Sequence, residues 1–215
     1  MKFLCALAIV ALCVQSIAAT TGIDAIQEIS VNGFHCLRNE GYKFFIGRVW
    51  TSTGHFDLTG MNNIKRAREA GVKYVDGYLF PCLRVACGSG NAQVQKTINK
   101  LRQEGSKIGT LWLDVERLAW PANEAHNRQF ILDMASEAQR MGVTVGVYSN
   151  YNNWQAIVGA SWSGVSHLPL WWADYNGHQN YRGFKAFGGW SKPAMHQYAG
   201  NVGTSCGYNV DLTWY

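Results

Sequence analysis

Apolar, strand-like runs alternate with amphipathic segments along most of the chain, and this alternation constrains the fold more than any other feature. Helical patterns that mostly end at a glycine separate the first five runs. Such alternation predicts a parallel sheet with crossover helices, and about eight strands in one domain predict a closed α/β barrel. The eight predicted strands are residues 22–26, 42–50, 72–80, 107–116, 143–149, 168–175, 193–199 and 208–214.

Helical patterns become scarce in the C-terminal third of the chain. The predicted helices are a stretch reaching about Asn39, then 57–71, 91–105, 123–142 and a short one near 151–158. The last three strands have no long helix between them. The sequence therefore predicts an α/β, single-domain, TIM-like barrel with eight strands and about five helices, helix-poor in its C-terminal third.

The first 19 residues have the pattern of a secretory signal peptide. They contain one cation, an apolar stretch and a small-residue end at Ala18 and Ala19. That stretch is too short for a membrane anchor, and no later run is long and apolar enough to span a bilayer. We therefore expect a signal peptide at 1–19 and a mature domain at 20–215. The predicted location is extracellular, or the lumen of a digestive or lysosome-like compartment, without membrane association.

Four cysteines remain after the predicted cleavage. An even number in an exported chain favours disulfides, with three possible connectivities. The short spacing of Cys82 and Cys87 favours a local bridge, which leaves Cys36 with Cys206. A zinc site is less favoured because the chain has no Cys-x-x-Cys or matching histidine pair.

The net charge of +5 falls to about +4 without Lys2, and the basic residues are scattered. Nucleic-acid binding would require a basic stripe, so we expect no nucleic-acid partner. A mild positive charge suits an anionic surface such as a bacterial wall, and it equally suits solubility alone.

Two acids, Asp114 and Glu116, lie in the otherwise apolar run TLWLDVERLAW. Residues i and i+2 on a strand point to the same face, and this pair stands at the carboxyl end of its strand, where α/β barrels carry their active sites. Two close carboxylates raise each other's proton affinity, so one keeps its proton near neutral pH. A protonated acid beside an ionised one is the pair that glycosidic cleavage requires. Acids at exposed strand ends also occur without any catalytic role.

Two further acids occupy the first and last predicted strands. Asp24 lies in GIDAI and Asp211 in NVDLT, and these strands are neighbours in a closed barrel. Both side chains are therefore expected at the same mouth as Asp114 and Glu116. The alternatives are strand-end aspartates that bind backbone amides, or four oxygen ligands for a hard cation. No ligand-loop spacing supports the cation, so we predict no metal and no cofactor.

The ordered segments GIDAI, FFIGRVW, GVKYVDGYLF, LDVE, GVYSN, LWWADY, HQYAG and VDLTW resemble the Chalaropsis-type lysozymes, glycoside hydrolase family 25, across residues 21–213. The resemblance implies a barrel of eight strands and five helices. It also implies cleavage of the β-1,4 bond between N-acetylmuramic acid and N-acetylglucosamine, so bacterial peptidoglycan is the expected partner of a monomeric enzyme.

The resemblance also implies roles for individual residues. Glu116 corresponds to the general acid/base, and Asp114 to the group that orients the substrate's 2-acetamido group or attacks directly. Asp24 and Asp211 complete an acidic floor. The carboxyl spacing along the strand, about 6.6 Å at ~3.3 Å per residue, leaves retention or inversion open, and the resemblance implies retention. The residues expected to bind substrate are Arg48, Tyr78, Phe80, Tyr148, Trp171, Tyr175 and Gln197.

Two other functions compete with this interpretation. A chitinase of the Asp-x-x-Asp-x-Asp-x-Glu type would need acids at 109 and 112, where the chain has Gly109 and Trp112. A catalytically silent carbohydrate-binding or signalling barrel would be expected to have lost an acid, and all four are present. His196 neighbours Gln197 on a predicted strand, so it points to the opposite face and is expected to be structural.

Overall fold

Eight strands close into a barrel in which each strand pairs with the next and β8 pairs with β1. The computed structural model describes residues 19–215, so most of the predicted signal peptide lies outside the described residues. The strands are β1 (Thr21–Ala25), β2 (Phe44–Trp50), β3 (Tyr74–Leu79), β4 (Thr110–Asp114), β5 (Thr144–Ser149), β6 (Leu170–Ala173), β7 (Met195–Gly203) and β8 (Asn209–Trp214). The helices are α1 (Val31–Asn39), α2 (Leu58–Glu69), α3 (Gly90–Glu104), α4 (Glu124–Arg140) and α5 (Tyr151–Val158), with a single 3-10 turn at Val85–Cys87.

The predicted fold class is confirmed: the barrel is mixed α/β, with five α-helices and a helix-poor C-terminal third. Within the described residues, no helix has both the length and the hydrophobicity needed to cross a membrane.

The last strand departs from the predicted parallel sheet. The six pairs from β1–β2 to β6–β7 are parallel, whereas β8 is antiparallel to both β7 and β1. Only residues 204–208 join β7 to β8, and a parallel connection needs a dozen or more residues. The expectation of parallel pairing was therefore wrong for β8, and the short spacing explains why.

The strands bury different side chains on their two faces. Phe45 on β2 and Leu113 on β4 belong to the large core between the barrel and its covering segments. Phe44, Ile46 and Trp112, one position away on the same strands, pack together inside the barrel. This period of two also fixes which side chains of each strand can reach the mouth of the barrel.

Helix α2 is seated directly on β2. Asp57 caps it, with Oδ1 accepting a hydrogen bond of 3.0 Å from the backbone N–H of Gly60. A Cβ atom at Gly60 would lie 1.8 Å from the carbonyl oxygen of Arg48, so only glycine permits this close approach. The start of α2 is thereby fixed against the end of β2 that carries Arg48.

Residues 174–194 connect β6 to β7 without a helix or a strand, and we call this segment the coil crossover. It covers the outer face of the barrel with aromatic rings. Phe187 and Trp190 lie 5.4 Å apart between ring centroids, and Trp190 contacts Trp154 of α5 at 4.9 Å. Phe184 packs edge-on against Trp172 of β6 at 5.3 Å.

Both predicted disulfides are present. Cys36–Cys206 joins α1 to the β7–β8 connection, across 170 residues of sequence. Cys82–Cys87 closes the loop that follows β3.

Candidate active site

A cavity opens where the carboxyl ends of the parallel strands meet. Its volume of about 400 Å³ is within the usual range of ligand pockets. All eleven residues predicted to act in catalysis or substrate binding line it, although their chemical roles stay predictions. They are Asp24, Arg48, Tyr78, Phe80, Asp114, Glu116, Tyr148, Trp171, Tyr175, Gln197 and Asp211.

Asp114 and Glu116 project into this cavity from the same side of the chain. Asp114 ends β4, and the backbone N–H of Val115 still donates to the carbonyl of Tyr148 at 2.9 Å. The side chain of Val115 is buried in the outer core. The extended geometry therefore continues through Glu116, with the two carboxyls on the cavity side and the valine on the other.

Burial is the main influence on this acid pair. It raises the pKa of Asp114 well above its usual range, the charges of Glu116 and Asp24 raise it further, and Arg48 opposes them. Burial also raises the pKa of Glu116. The pair therefore holds a proton at a pH where isolated carboxyls have lost theirs.

One oxygen of Asp114 is not satisfied within the protein. Its Oδ1 is buried and has no hydrogen-bond partner among residues 19–215. A buried acceptor left without a donor is costly, and a ligand N–H or O–H group would satisfy this one once a rotation of the carboxyl brings the atom to the cavity surface.

Asp24 and Asp211 are directly opposite each other in the β1–β8 pairing, as the sequence predicted for neighbouring strands. Burial raises the pKa of Asp24 to about 8, helped by the charge of Asp211 and opposed by a hydrogen bond from Gln197. Burial also raises the pKa of Asp211, and the backbone N–H of Asn201, which donates to Oδ1 at 2.7 Å, lowers it. Asp24 is therefore mainly protonated at neutral pH.

Gln197 connects Asp24 with two tyrosines. Its Nε2 donates to Asp24 Oδ2 at 2.8 Å. Its Oε1 accepts from the hydroxyl of Tyr148 at 2.6 Å and from that of Tyr175 at 2.9 Å. Both lone pairs of the amide oxygen are thus used, and the amide orientation is set by three neighbours.

Arg48 is the cation of the cavity wall. Its Nε donates to Asp57 Oδ2 at 2.7 Å, so the residue that caps α2 also orients the guanidinium. Tyr78 is paired with Arg48 in the β2–β3 register. Burial, followed by the charges of Asp24 and Asp114, raises the pKa of Tyr78 well above its usual range, so its hydroxyl stays a donor.

Aromatic rings pack together inside the barrel, next to the cavity. Trp171 contacts Tyr148 edge-on at 4.7 Å and Trp112 at 5.9 Å between ring centroids. Its Nε1 donates to Thr213 Oγ1 at 3.1 Å. Trp171 is therefore held by aromatic contacts and a hydrogen bond inside the barrel.

Five cavity residues escaped the sequence analysis. Ala25, Ile26 and Gln27 end β1 or follow it, and the rule that barrel sites lie at the carboxyl ends of strands could have found them. Asn201 and Asn209 belong to the β7–β8 hairpin, whose antiparallel geometry was not predicted.

The geometry gives no support to a single cation held by the four acids. Among residues 19–215, the only cluster of three or more metal-ligating side chains within 4.8 Å is Cys36, Glu40 and Cys206, and its two cysteines form a disulfide.

Comparison with known proteins places this barrel in a family. A family model described as Lysozyme-like protein 1 matches residues 15–198. The chain is 47% identical over 197 residues to Lysozyme-like protein 5 of Caenorhabditis elegans, covering 92% of each chain. It is 40% identical over 200 residues to Probable GH family 25 lysozyme 4 of Dictyostelium discoideum, covering 93% of this chain and 92% of the relative.

The fold is also similar to that of a family GH25 lysozyme from Aspergillus fumigatus, with a TM-score of 0.71 and 17% identity over 92% of this chain and 94% of that one. Taken with the sequence identities over nearly the whole length and the eight-stranded barrel, this likeness means that the chain belongs to glycoside hydrolase family 25, the Chalaropsis-type lysozymes, and is a glycoside hydrolase.

Proposed function

We propose that this glycoside hydrolase is a secreted muramidase that cleaves the β-1,4 bond between N-acetylmuramic acid and N-acetylglucosamine in bacterial peptidoglycan. Its role is the digestion of bacteria or antibacterial defence. The names of its relatives as lysozymes support the substrate class. The acid pair and the aromatic cavity support the reaction.

The observation that carries the proposal is the unpartnered Oδ1 of Asp114 beside Glu116. Both sugars of peptidoglycan bear a 2-acetamido group with an N–H donor. We propose that this N–H binds Asp114, which favours the ionised form of that carboxyl. Because the two acids are coupled, an ionised Asp114 moves the retained proton to Glu116.

Glu116 then acts as the general acid. It protonates the glycosidic oxygen as the bond to the sugar carbon breaks, and the acetamido oxygen attacks that carbon. Water then attacks the same carbon of the cyclic intermediate and gives a proton to Glu116. Because the carbon is inverted twice, the anomeric configuration is retained. Direct attack by Asp114 is the competing route, and the unpartnered acceptor favours orientation of the acetamido group instead.

The remaining predicted residues are proposed to hold the glycan. Asp24 and Asp211 form the acidic floor, and the faces of Tyr78, Phe80 and Trp171 offer flat apolar surfaces for sugar rings. The polar rim is proposed to consist of Arg48, Tyr148, Tyr175 and Gln197.

Export is part of the proposal. The two disulfides are the kind of bond that persists in oxidising compartments, which supports cleavage of a signal peptide near residue 19 and a mature domain at 20–215.

Product analysis on purified peptidoglycan tests the proposal. The mature chain is incubated with the polymer, the new reducing ends are reduced with borohydride, and the fragments are identified by mass. A muramidase yields reduced N-acetylmuramic acid at the new ends. Reduced N-acetylglucosamine would indicate a glucosaminidase, and binding without new ends would indicate a silent carbohydrate-binding barrel. Either result contradicts the proposal.

Glu116→Gln is the variant that tests the acid role. It should release no new reducing ends, because the amide cannot protonate the leaving oxygen. Glu124→Gln is the matched control, since Glu124 lies on the surface of α4 and pairs with Arg128 there. Cleavage by Glu116→Gln at the rate of the control would exclude the proposed acid.

A further inference from the structure

His196 is buried on the outer face of β7, and both of its ring nitrogens face carbonyl oxygens. Nδ1 lies 2.7 Å from the carbonyl oxygen of Asn180, and Nε2 lies 2.7 Å from that of Asp174. A neutral imidazole carries hydrogen on only one nitrogen. In that form the other lone pair would face a carbonyl lone pair at hydrogen-bonding distance, which is repulsive.

The doubly protonated ring fits this position. It donates to both carbonyls, and charge-assisted hydrogen bonds are stronger than neutral ones. Trp172 stacks on the ring, with 4.2 Å between centroids and 25° between planes, and an aromatic face attracts a cation. Burial opposes the charge, so the two carbonyls and the indole are what stabilise it.

The two carbonyls belong to the coil crossover, on either side of the segment that contains Tyr175. That tyrosine donates to Gln197 in the cavity, and Gln197 is the neighbour of His196 on β7. His196 therefore joins the coil crossover to β7 on the outside of the barrel, and Gln197 joins them on the cavity side.

We propose that His196 is a positioning residue that, as a cation, clamps the coil crossover to β7 and so holds Tyr175 against Gln197 for glycan binding. Loss of one ring proton removes one of the two hydrogen bonds. Other tethers remain, since the backbone N–H of Asp174 donates to the carbonyl of Gln197 at 3.1 Å and that of Gly177 to the carbonyl of Tyr198 at 2.9 Å. Deprotonation is therefore expected to loosen Tyr175 and weaken glycan binding without unfolding the domain.

The titratable groups on the segments packed around His196 have partners of their own. Asp174 Oδ2 accepts from Asn176, and the hydroxyl of Tyr181 donates to the carbonyl of Ala194. Tyr198 lies 6.2 Å away between centroids, and its hydroxyl accepts from Gln179. β6 contributes Trp172 and β8 contributes Trp214, neither of which titrates. The clamp therefore depends mainly on the ring and the two carbonyls.

The charge of the ring is read directly by nitrogen NMR of the wild-type chain without substrate. We expect His196 to carry hydrogen on both nitrogens in the folded chain, because both nitrogens lie 2.7 Å from carbonyl oxygens. A ring that carries hydrogen on only one nitrogen, at the pH where the oligosaccharide is cleaved, contradicts the proposal.

The effect on substrate rests on the proposed function, and it is measured on a soluble, defined peptidoglycan oligosaccharide. His196→Phe keeps an aromatic ring but has no donors, so its KM should be about two- to three-fold above that of the wild type, with kcat almost unchanged. His178→Phe, an exposed histidine of the same crossover, is the matched control and should behave as the wild type.

Different results identify which idea fails. A wild-type chain that does not cleave the oligosaccharide refutes the proposed function, while the NMR result still decides the charge of His196. If His196→Phe has the KM of the wild type, or loses kcat instead, the positioning role is refuted. His196→Gln, which retains one donor, serves if the phenylalanine variant does not fold, and the same criterion applies to it.

Discussion

Two segments cover the outside of this barrel by different means. Helix α4 covers β4 and β5 with side chains such as Ile131 and Met134, and most of its backbone groups bond within the helix. The coil crossover covers β6 and β7 with only scattered internal backbone hydrogen bonds, such as that from Phe184 to Tyr181 at 3.2 Å, and it also bonds outward. Trp190 Nε1 donates to the carbonyl of Leu168 at 2.8 Å, and the nitrogens of His196 face two further carbonyls.

Because the two coverings are held differently, they are expected to tolerate different substitutions. A helix keeps its position through apolar contact, which depends on volume and shape. A coil keeps its position through individual donors, each of which is costly to remove once its acceptor is buried. The proposed reacting carboxyls lie at the end of β4, between α3 and α4 in the chain, whereas Tyr175 and Gln197 come from the side covered by the coil. We therefore expect substitutions on the helix-covered side to change mainly kcat, and those on the coil-covered side to change mainly KM.

The largest effect is expected on the helix-covered side, from Asp114→Asn. The amide cannot balance the positive charge that develops on the acetamido group, so kcat should fall by about 10³-fold, or about 4 kcal/mol of transition-state stabilisation. KM should change little. Initial rates on a soluble glycan oligomer measure both constants, with Asp133→Asn on the outer side of α4 as the control. A wild-type kcat would remove Asp114 from the proposed mechanism.

Asp24→Asn tests the contact between the two sides, since Gln197 of β7 bonds to Asp24 of β1. The pKa of Asp24 is raised from 3.8 to about 8, so its contribution to stability is complete below pH 3.8 and is lost progressively as the pH rises from there through 8. The asparagine variant should therefore be more stable than the wild type by up to about 4 kcal/mol at pH 7, at ~1.4 kcal/mol for each pH unit above the unfolded pKa, with the gain vanishing near pH 4.

Thermal melts from about pH 4 to pH 8 measure this difference. Asp133→Asn is again the control and should stay within about 0.5 kcal/mol of the wild type. A gain that does not depend on pH would mean that packing, and not the ionisation of Asp24, is responsible.

Trp190→Phe tests the coil crossover itself. The smaller ring keeps most of the aromatic contact but has no N–H, so the buried carbonyl of Leu168 loses its donor. We expect a loss of about 2 kcal/mol in the free energy of unfolding. Met134→Leu in α4 changes shape without removing a hydrogen bond and should cost less than about 1.5 kcal/mol. Equal losses in denaturant titrations would contradict the contrast between the two coverings.

The parts of the molecule that follow from sequence are those with a period. Alternating runs predicted all eight strands, and the carboxyl-end rule for barrels predicted the position of Asp114 and Glu116. The pairing of Asp24 with Asp211 followed from closure of the barrel, which makes the first and last strands neighbours. These rules need the period of the runs and the fold class, and no knowledge of individual side-chain contacts.

The parts that did not follow depend on non-local contacts. The coil crossover has no period, so its aromatic packing and its bonds to His196 could not be read from the pattern. Asn201 lines the cavity from the second of two register irregularities in the β7–β8 hairpin, where the residue adopts a positive φ of 55°. Asparagine tolerates that conformation, but the residue type alone does not predict it.

The smallest effect is expected on the coil-covered side of the cavity, from Tyr175→Phe. Its hydroxyl bonds to Gln197 Oε1 at 2.9 Å, and Tyr148 keeps the same oxygen paired at 2.6 Å when the hydroxyl is removed. We therefore expect KM to rise by about three-fold, or about 0.6 kcal/mol, with kcat almost unchanged. Kinetics on the soluble oligomer measure the change, and Tyr74→Phe, exposed at the opposite end of the barrel, is the control. A fall in kcat of the size expected for Asp114→Asn would mean that the coil-covered side takes part in the chemistry and not only in positioning the glycan.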